Sequence, residues 1–476
     1  MLYESERGDI EFALTGESLI GRKLSVHREP KFLEMVEILR RADVTFTNAE
    51  CLFQDWEDTP NTYGGGGAPG GTYMASAPAL IDELKWAGID ILATANNHAS
   101  DFGEAGMASN VRFLNERGMP QAGMGRNLTE ASAPAYLDTA KGRVALVAAC
   151  DWGPRGAGDM PWPFPMGVIA GEQSPYSKGR PGVNLVRHRV EITVDRTAFD
   201  ALQRISESMK WTAARDSRRK LSMGWDRPPT TSRMGEEADS DDVFYFMGTK
   251  FRVGDAFSLT TIAEPEDVER NLKWIRDARR MADWVLFSFH NHGATRTPDD
   301  PPAHSVELAR ASIDNGADIY IGHGTGRDRG MEIYKGRPIF YGLGSFIAQN
   351  DQVPVQPYEL MARFGLDHDS TPADFYDVRS GKGTKGYHVV PEMWETVVAV
   401  LNYDNRTLKS IRLHPVDLNL EQPRFVRGRP MLAEPGSKTY RSVISRYQKM
   451  SAVFGTKISN DGGVEVPEPR RESSAA

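Results

Sequence analysis

Short apolar runs alternate with amphipathic stretches in two separate parts of this 476-residue chain. In the N-terminal part "IEFALTG", "DVTFTNAE", "IDILATA" and "RVALVAA" read as strands. Between them "EPKFLEMVEILRRA", "APALIDELKWAG" and "GEAGMASNVRFLNERG" carry helical spacing, the first through Phe32, Leu33, Val36 and Leu39. The pattern returns with "PEDVERNLKWIRDARRMA", "DWVLFSF", "HSVELARASIDNGA", "DIYIG" and "RPIFYGLG". Strand–helix–strand alternation of this kind requires a layered α/β fold, because each apolar strand needs cover on its faces. It also places the loops after the strands on one side of the sheet, where active sites of such folds collect.

Between these parts, from about Gly153 to Thr261, the chain is rich in Gly, Pro, Arg and Ser, with one helical piece, "RTAFDALQRISESMKW". So long a stretch inside a domain reads as an insertion covering the strand ends. After Asn350 come "TVVAVLNYD" and "LKSIRLHPVDL", an antiparallel pair, then the helix "KTYRSVISRYQKMSAVFG" and a polar tail. The resulting division is 1–152 and 263–350 as two halves of one domain, 153–262 as a cap, and 351–476 as a β-pair, helix and disordered tail.

Composition narrows the function classes. A formal charge of -8 argues against a general nucleic-acid binder, whose phosphate contacts favour a basic face. Two cysteines, Cys51 and Cys150, form no disulfide framework and no zinc-finger spacing, which suits a reducing compartment. The opening "MLYESERGDIEFALTGE" has neither a basic nor an apolar signal region, and no window approaches a membrane span of about 20 apolar residues. A cytoplasmic location is therefore expected. A homo-oligomer remains open.

Five polar clusters follow predicted strands: Glu17 in "TGESLIGR", Asn48 and Glu50 in "TNAE", Asn97, His98 and Asp101 in "ANNHASD", His290 and His292 in "SFHNHG", and His323 in "IGHGTGRDRG". Four of the chain's 10 histidines fall in these clusters. Carboxylates, an amide oxygen and imidazoles are the ligand set of a borderline divalent metal such as Mn, Fe or Zn. Such ions lower the pKa of a bound water, and a histidine outside the ligand set can protonate a leaving group. Taken singly, each cluster also fits a solvated loop or a helix cap. Arg327 and Arg329, close after His323, can clamp a carboxylate or phosphate or form structural salt bridges. The glycine-rich Tyr63–Gly71 reads as a flexible loop beside Glu50. Trp152, Trp162 and Phe164 read as anchors of the insertion, and Cys51 as a packing residue.

In order and wording these segments resemble the capsule-synthesis CapA family, a branch of the calcineurin-like metallophosphatase superfamily. The resemblance rests on "TGESLIGR", "FTNAE", "ATANNHASDFGEAG", "SFHNHG" and "IGHGTGRDRGMEIYKGRPIFYGLGSF" and spans Phe12 to Ile347 apart from the insertion; "GRPGVN" at Gly179–Asn184 is a further likeness. It implies a four-layer sandwich in which two mixed sheets are flanked by helices. It implies one or two divalent ions (Mn, Zn or Fe) on Glu17, Glu50, Asn97, His290, His292 and His323. His98 would stand near the reacting centre, oriented by Asp101. Three departures bear on the metal count: Glu17 stands where the family has Asp, Gly326 where it has a second His, and Ser345 where it has Asn. The implied function is a hydrolase in which metal-bound hydroxide attacks an amide, γ-glutamyl or peptide-like bond of an anionic substrate. A phosphoesterase with the same site, and a non-catalytic accessory of polymer biosynthesis, are the alternatives.

Overall fold

The computed structural model describes residues 8–61, 71–152, 170–221, 239–247, 249–293 and 295–467. Two large mixed sheets pack face to face. The first runs in the order Met431–Leu432, Thr407–Asp417, Glu395–Asp404, Asp9–Leu19, Val44–Ala49, Ile91–Ala93, Gln121–Ala122. The second runs Val243–Phe246, Thr249–Val253, Leu185–Val194, Gly142–Trp152, Trp284–His290, Ile319–His323, Arg337–Gly342, Arg329–Tyr334. Alternation along the strands builds the layers. Phe12, Leu14 and Phe46 of the first sheet meet Val144, Leu146, Leu286 and Ile321 of the second in one apolar core. Ala13 and Leu92 point the other way, into a layer with Val36 and Leu39 of the Pro30–Arg41 helix and Leu84 of the Leu80–Ala87 helix. Val147 and Phe287 likewise meet Leu272 and Ile275 of Pro265–Met281 and Leu308 of Ala303–Asp314. The architecture is helix, sheet, sheet, helix: the expected four-layer sandwich.

Two relationships differ in kind from a reading along the chain. The hairpin Glu395–Asp404/Thr407–Asp417 pairs antiparallel as expected, but it also adds to the first sheet, with Glu395–Asp404 lying beside Asp9–Leu19. The C-terminal region is thus part of the sandwich, and the Lys438–Ala452 helix buries Val443, Ile444 and Tyr447 in the inter-sheet core. Second, the described part of 153–262 extends a sheet. Leu185–Val194 pairs in parallel with the end of Gly142–Trp152 and carries Ser258–Ala263 and Thr249–Val253 on its outer part. Asn184, the last residue of the "GRPGVN" segment, ties this edge down by donating to the Ala148 carbonyl at 2.9 Å and to Asn271 at 2.7 Å. Most of the glycine-rich loop (Tyr63–Gly70), Trp162, Phe164 and the terminal residues 468–476 lie outside the described residues, as does the side chain of Trp152. No helix among the described residues is long and apolar enough to cross a membrane.

The parallel strands of both sheets end on the same side, and their registers align the ends. Glu17 pairs with Asn48, and Asn48 with Ala93. His290 pairs with both Cys150 and His323. The sequence-predicted clusters are thereby brought to one edge of the inter-sheet core.

Candidate metal centre

Glu17 sits inside the first strand, at an irregularity where the ladders to Val44–Ala49 and to the short parallel strand Ser345–Ala348 shift register. Gly16 makes this bend feasible. A Cβ there would overlap the carbonyl oxygens of Leu343 and Gly344, so the two backbones meet only because Gly16 has no side chain. The Glu17 carboxylate then turns onto the loop after Ile319–His323. Its Oε1 accepts N–H groups from Gly324 and, at 3.3 Å, Gly326; its Oε2 accepts the Ser345 hydroxyl at 3.3 Å.

Facing Glu17 is Glu50, just beyond Val44–Ala49. Its Oε1 is 3.7 Å from Nε2 of His98 and 4.0 Å from Nε2 of His290. Its Oε2 is buried and has no hydrogen-bond partner among the described residues. Burial raises the pKa of both carboxyls. For Glu17 the loop N–H groups work against this; for Glu50 the charges of Glu17 and Asp101 add to it.

The imidazoles complete the floor. Nε2 of His290 lies 2.9 Å from Oδ1 of Asn97 and 3.0 Å from Nε2 of His292, and its Nδ1 lies 2.9 Å from Nδ1 of His323. Nε2 of His323 pairs with the Ser288 hydroxyl at 2.7 Å, which leaves Nδ1 facing the site. Burial depresses the His323 pKa to about 3, so the ring is neutral and keeps a lone pair. One ligand atom each from Glu17, His290 and His323 lie within 4.8 Å of one another. Two apposed buried carboxylates beside three imidazoles and an amide oxygen are a donor set that fits a divalent cation. Glu17, Glu50, Asn97, His290, His292 and His323 are the residues that would hold it.

His98 stands at the edge of this floor. Asn96 shapes its turn, accepting the His98 N–H at 3.1 Å and donating to the Ala49 carbonyl at 2.8 Å. The Nδ1 of His98 meets Oδ2 of Asp101 at 2.7 Å, and the same oxygen accepts the Met74 N–H at 2.7 Å. His98 therefore presents Nε2 to the site.

Above the floor is a cavity of about 590 Å³, lined by Glu17, Glu50, Asn97, His98 and His292 below. Its far wall comes from 379–394, with Arg379, Lys385, Tyr387 and Met393. Among the described residues, then, the C-terminal region covers the strand ends, and none of 170–262 lines the cavity. Arg327 and Arg329 do not line it either. Arg327 turns out to Asp299 at 3.3 Å, and Arg329 is buried behind the floor, donating to Asn291. The basic groups that do face the cavity, Arg379 and Lys385, escape sequence reasoning because no strand end or metal motif marks them. Arg379 donates to the Thr72 hydroxyl and lies over Phe375 and Tyr376. At Gly326, where the family pattern has an imidazole, a Cβ would lie 2.9 Å from Cε of Met393 and 3.2 Å from Oγ of Ser345. The Met393 methyl thus packs against this position. Cys51 is buried in the helix-covered layer, and burial pushes its thiol up to about 12, which suits packing.

The family model described as bacterial capsule synthesis protein PGA_cap matches residues 8–350. The uncharacterised proteins y4sH and y4uA of Sinorhizobium fredii (strain NBRC 101917 / NGR234) are each 32% identical over 454 residues, covering 93% of this chain and 90% of theirs. The PGA biosynthesis protein CapA of Bacillus subtilis (strain 168) is 37% identical over 83 residues, 17% of this chain and 21% of that protein.

Proposed function

The chain belongs to the bacterial capsule synthesis family PGA_cap, a metallophosphatase-like family, and from that premise we propose that it is a metal-dependent hydrolase of an anionic, peptide-like substrate. The observation that carries this reading is that Glu17, Glu50, Asn97 and His292, from separate strand ends, line one cavity, with His290 in contact with Asn97 and His292 and with His323 behind it. A divalent ion held by these residues would supply an activated water and stabilise charge on the attacked group. His98, its Nδ1 occupied by Asp101, turns Nε2 to the site as the group that would pass a proton to the leaving group. Arg379 and Lys385, on the wall opposite the floor, bind the substrate's anionic group. Similarity to a protein named for PGA biosynthesis favours a γ-glutamyl or other amide bond over a phosphoester.

A metal-supplemented screen across γ-glutamyl amides, peptides and phosphoesters, with Mn, Zn or Fe, tests this. Metal-dependent turnover of amides is the expected result. Turnover of phosphoesters alone would replace the amide with the phosphoester. Protein that binds none of these metals would sink the hydrolase reading and leave an accessory role.

A further inference from the structure

Behind the turn that carries His292 lies a second set of ligand-type side chains, outside every motif in the sequence. Asp151 is at the end of the Gly142–Trp152 strand, His188 is on Leu185–Val194, and His304 is in the first turn of the Ala303–Asp314 helix. Asp151 pairs with Val186, so His188, two residues on, shares its face of the sheet. All three are buried. Oδ2 of Asp151 is 3.4 Å from Nε2 of His304 and 3.8 Å from Nδ1 of His188, and the three atoms lie within 4.8 Å of one another.

These separations discriminate between two arrangements. A charge-assisted hydrogen bond brings nitrogen and oxygen to about 2.8 Å. Two ligands on one tetrahedral ion, each at about 2.05 Å, stand about 3.3 Å apart. The 3.4 Å between Asp151 and His304 matches the second spacing, and the 3.8 Å between Asp151 and His188 lies beyond both. Moreover, among the described residues the buried Oδ2 of Asp151 and Nε2 of His304 have no hydrogen-bonding group near them apart from each other, a condition that suits an ion or an ordered water between them.

The rest of the Asp151 and His304 side chains is already held. Oδ1 of Asp151 accepts the His292 N–H at 2.9 Å. Nδ1 of His304 is 2.8 Å from Oγ1 of Thr261, which also accepts the His304 backbone N–H at 3.3 Å. With Nδ1–H donating to Thr261, Nε2 carries a lone pair towards Asp151, as a metal-ligating imidazole does. Gly293 preserves the space: a Cβ there would lie 3.1 Å from Oδ2 of Asp151 and 2.5 Å from Cε1 of His304. The His188 and His304 rings stack at 4.3 Å and 14°, so a shared ion lies at their edges and requires the His188 ring to rotate out of the stack.

We propose that Asp151, His188 and His304 form a binding site for a divalent ion of the zinc class, separate from the cavity floor. Two imidazoles and a carboxylate are a zinc ligand set. The ion joins three elements around the turn that follows His290, so its role is to hold that turn, and with it His292, in place.

The direct test is crystallography of the full chain carrying stoichiometric zinc, with anomalous data from both sides of the zinc edge. The expected result is a zinc peak within bonding distance of Asp151, His188 and His304. A peak among Glu17, His290 and His323 alone overturns the proposal, as does no peak at either place. A peak at Asp151 alone upholds it and counts against the metal reading of the cavity. In solution, His188→Ala and His304→Ala should each lower zinc content by one equivalent by mass-spectrometric metal analysis. A variant that stays folded by circular dichroism and keeps its full zinc overturns the site. If neither variant folds, the wild-type anomalous map decides.

Discussion

The Nδ1 of His98 and the Oδ2 of Asp101 meet at 2.7 Å in a buried corner, and Met74 holds the same carboxylate from the other side. The pair fixes which nitrogen of His98 faces the metal centre. His98→Ala is therefore expected to keep metal content and lower turnover by about 10²–10⁴-fold, the range for loss of a positioned proton donor. Asp101→Asn should cost about 10–100-fold and shift the pH–rate profile, because it acts through His98. Metal analysis beside steady-state kinetics checks both; unchanged turnover in His98→Ala removes the role given to it.

Glu17, Glu50 and His290 meet at the floor, and burial of two facing carboxylates is relieved by a cation. A metal that binds only the folded state at 100 times its Kd stabilises by about 2.7 kcal/mol. Chelation should therefore lower the melting temperature of the wild type, and lower it less in His290→Ala and Glu17→Gln. Equal responses in all three would show that these residues hold no ion.

Gly16→Ala puts a methyl where the Leu343 and Gly344 carbonyls lie. Overpacking of this kind costs about 1–3 kcal/mol. Since the displaced backbone also carries Glu17, metal affinity should fall together with stability. Urea denaturation and a zinc titration of the variant check the two effects; wild-type values for both would contradict the backbone contact.

Asp351 ties the cavity's far wall to the body, pairing with Arg427 and with His388 at 3.6 Å. Burial opposes its charge, but His388 and Arg427 outweigh that and hold the carboxyl below its ordinary value. A carboxyl depressed in the folded state adds stability that is complete above the unfolded pKa, about 3.9. That stability is lost as the pH falls through the lower folded value. Asp351→Asn should cost about 3 kcal/mol at neutral pH, as when one partner of a buried pair is removed. Its deficit relative to wild type should shrink as thermal melts are taken below pH 4. A deficit that does not change with pH would mean the loss is one of packing.

The strands and helices, the layered α/β class and the strand-end clusters were legible in the sequence because their signals are local, whereas the four-layer class came from the family resemblance. A period of two or 3.6, a glycine beside Glu17 and the run Asn97–His98–Asp101 each lie within one element. Tertiary structure alone decided what depends on pairing between distant segments. It set the C-terminal hairpin beside Asp9–Leu19, brought 379–394 over the cavity, and turned Arg327 and Arg329 away from it. It also joined Asp151, His188 and His304 from two strands and a helix. Nothing in their spacing marks such residues, because strand register and core packing determine which side chains meet.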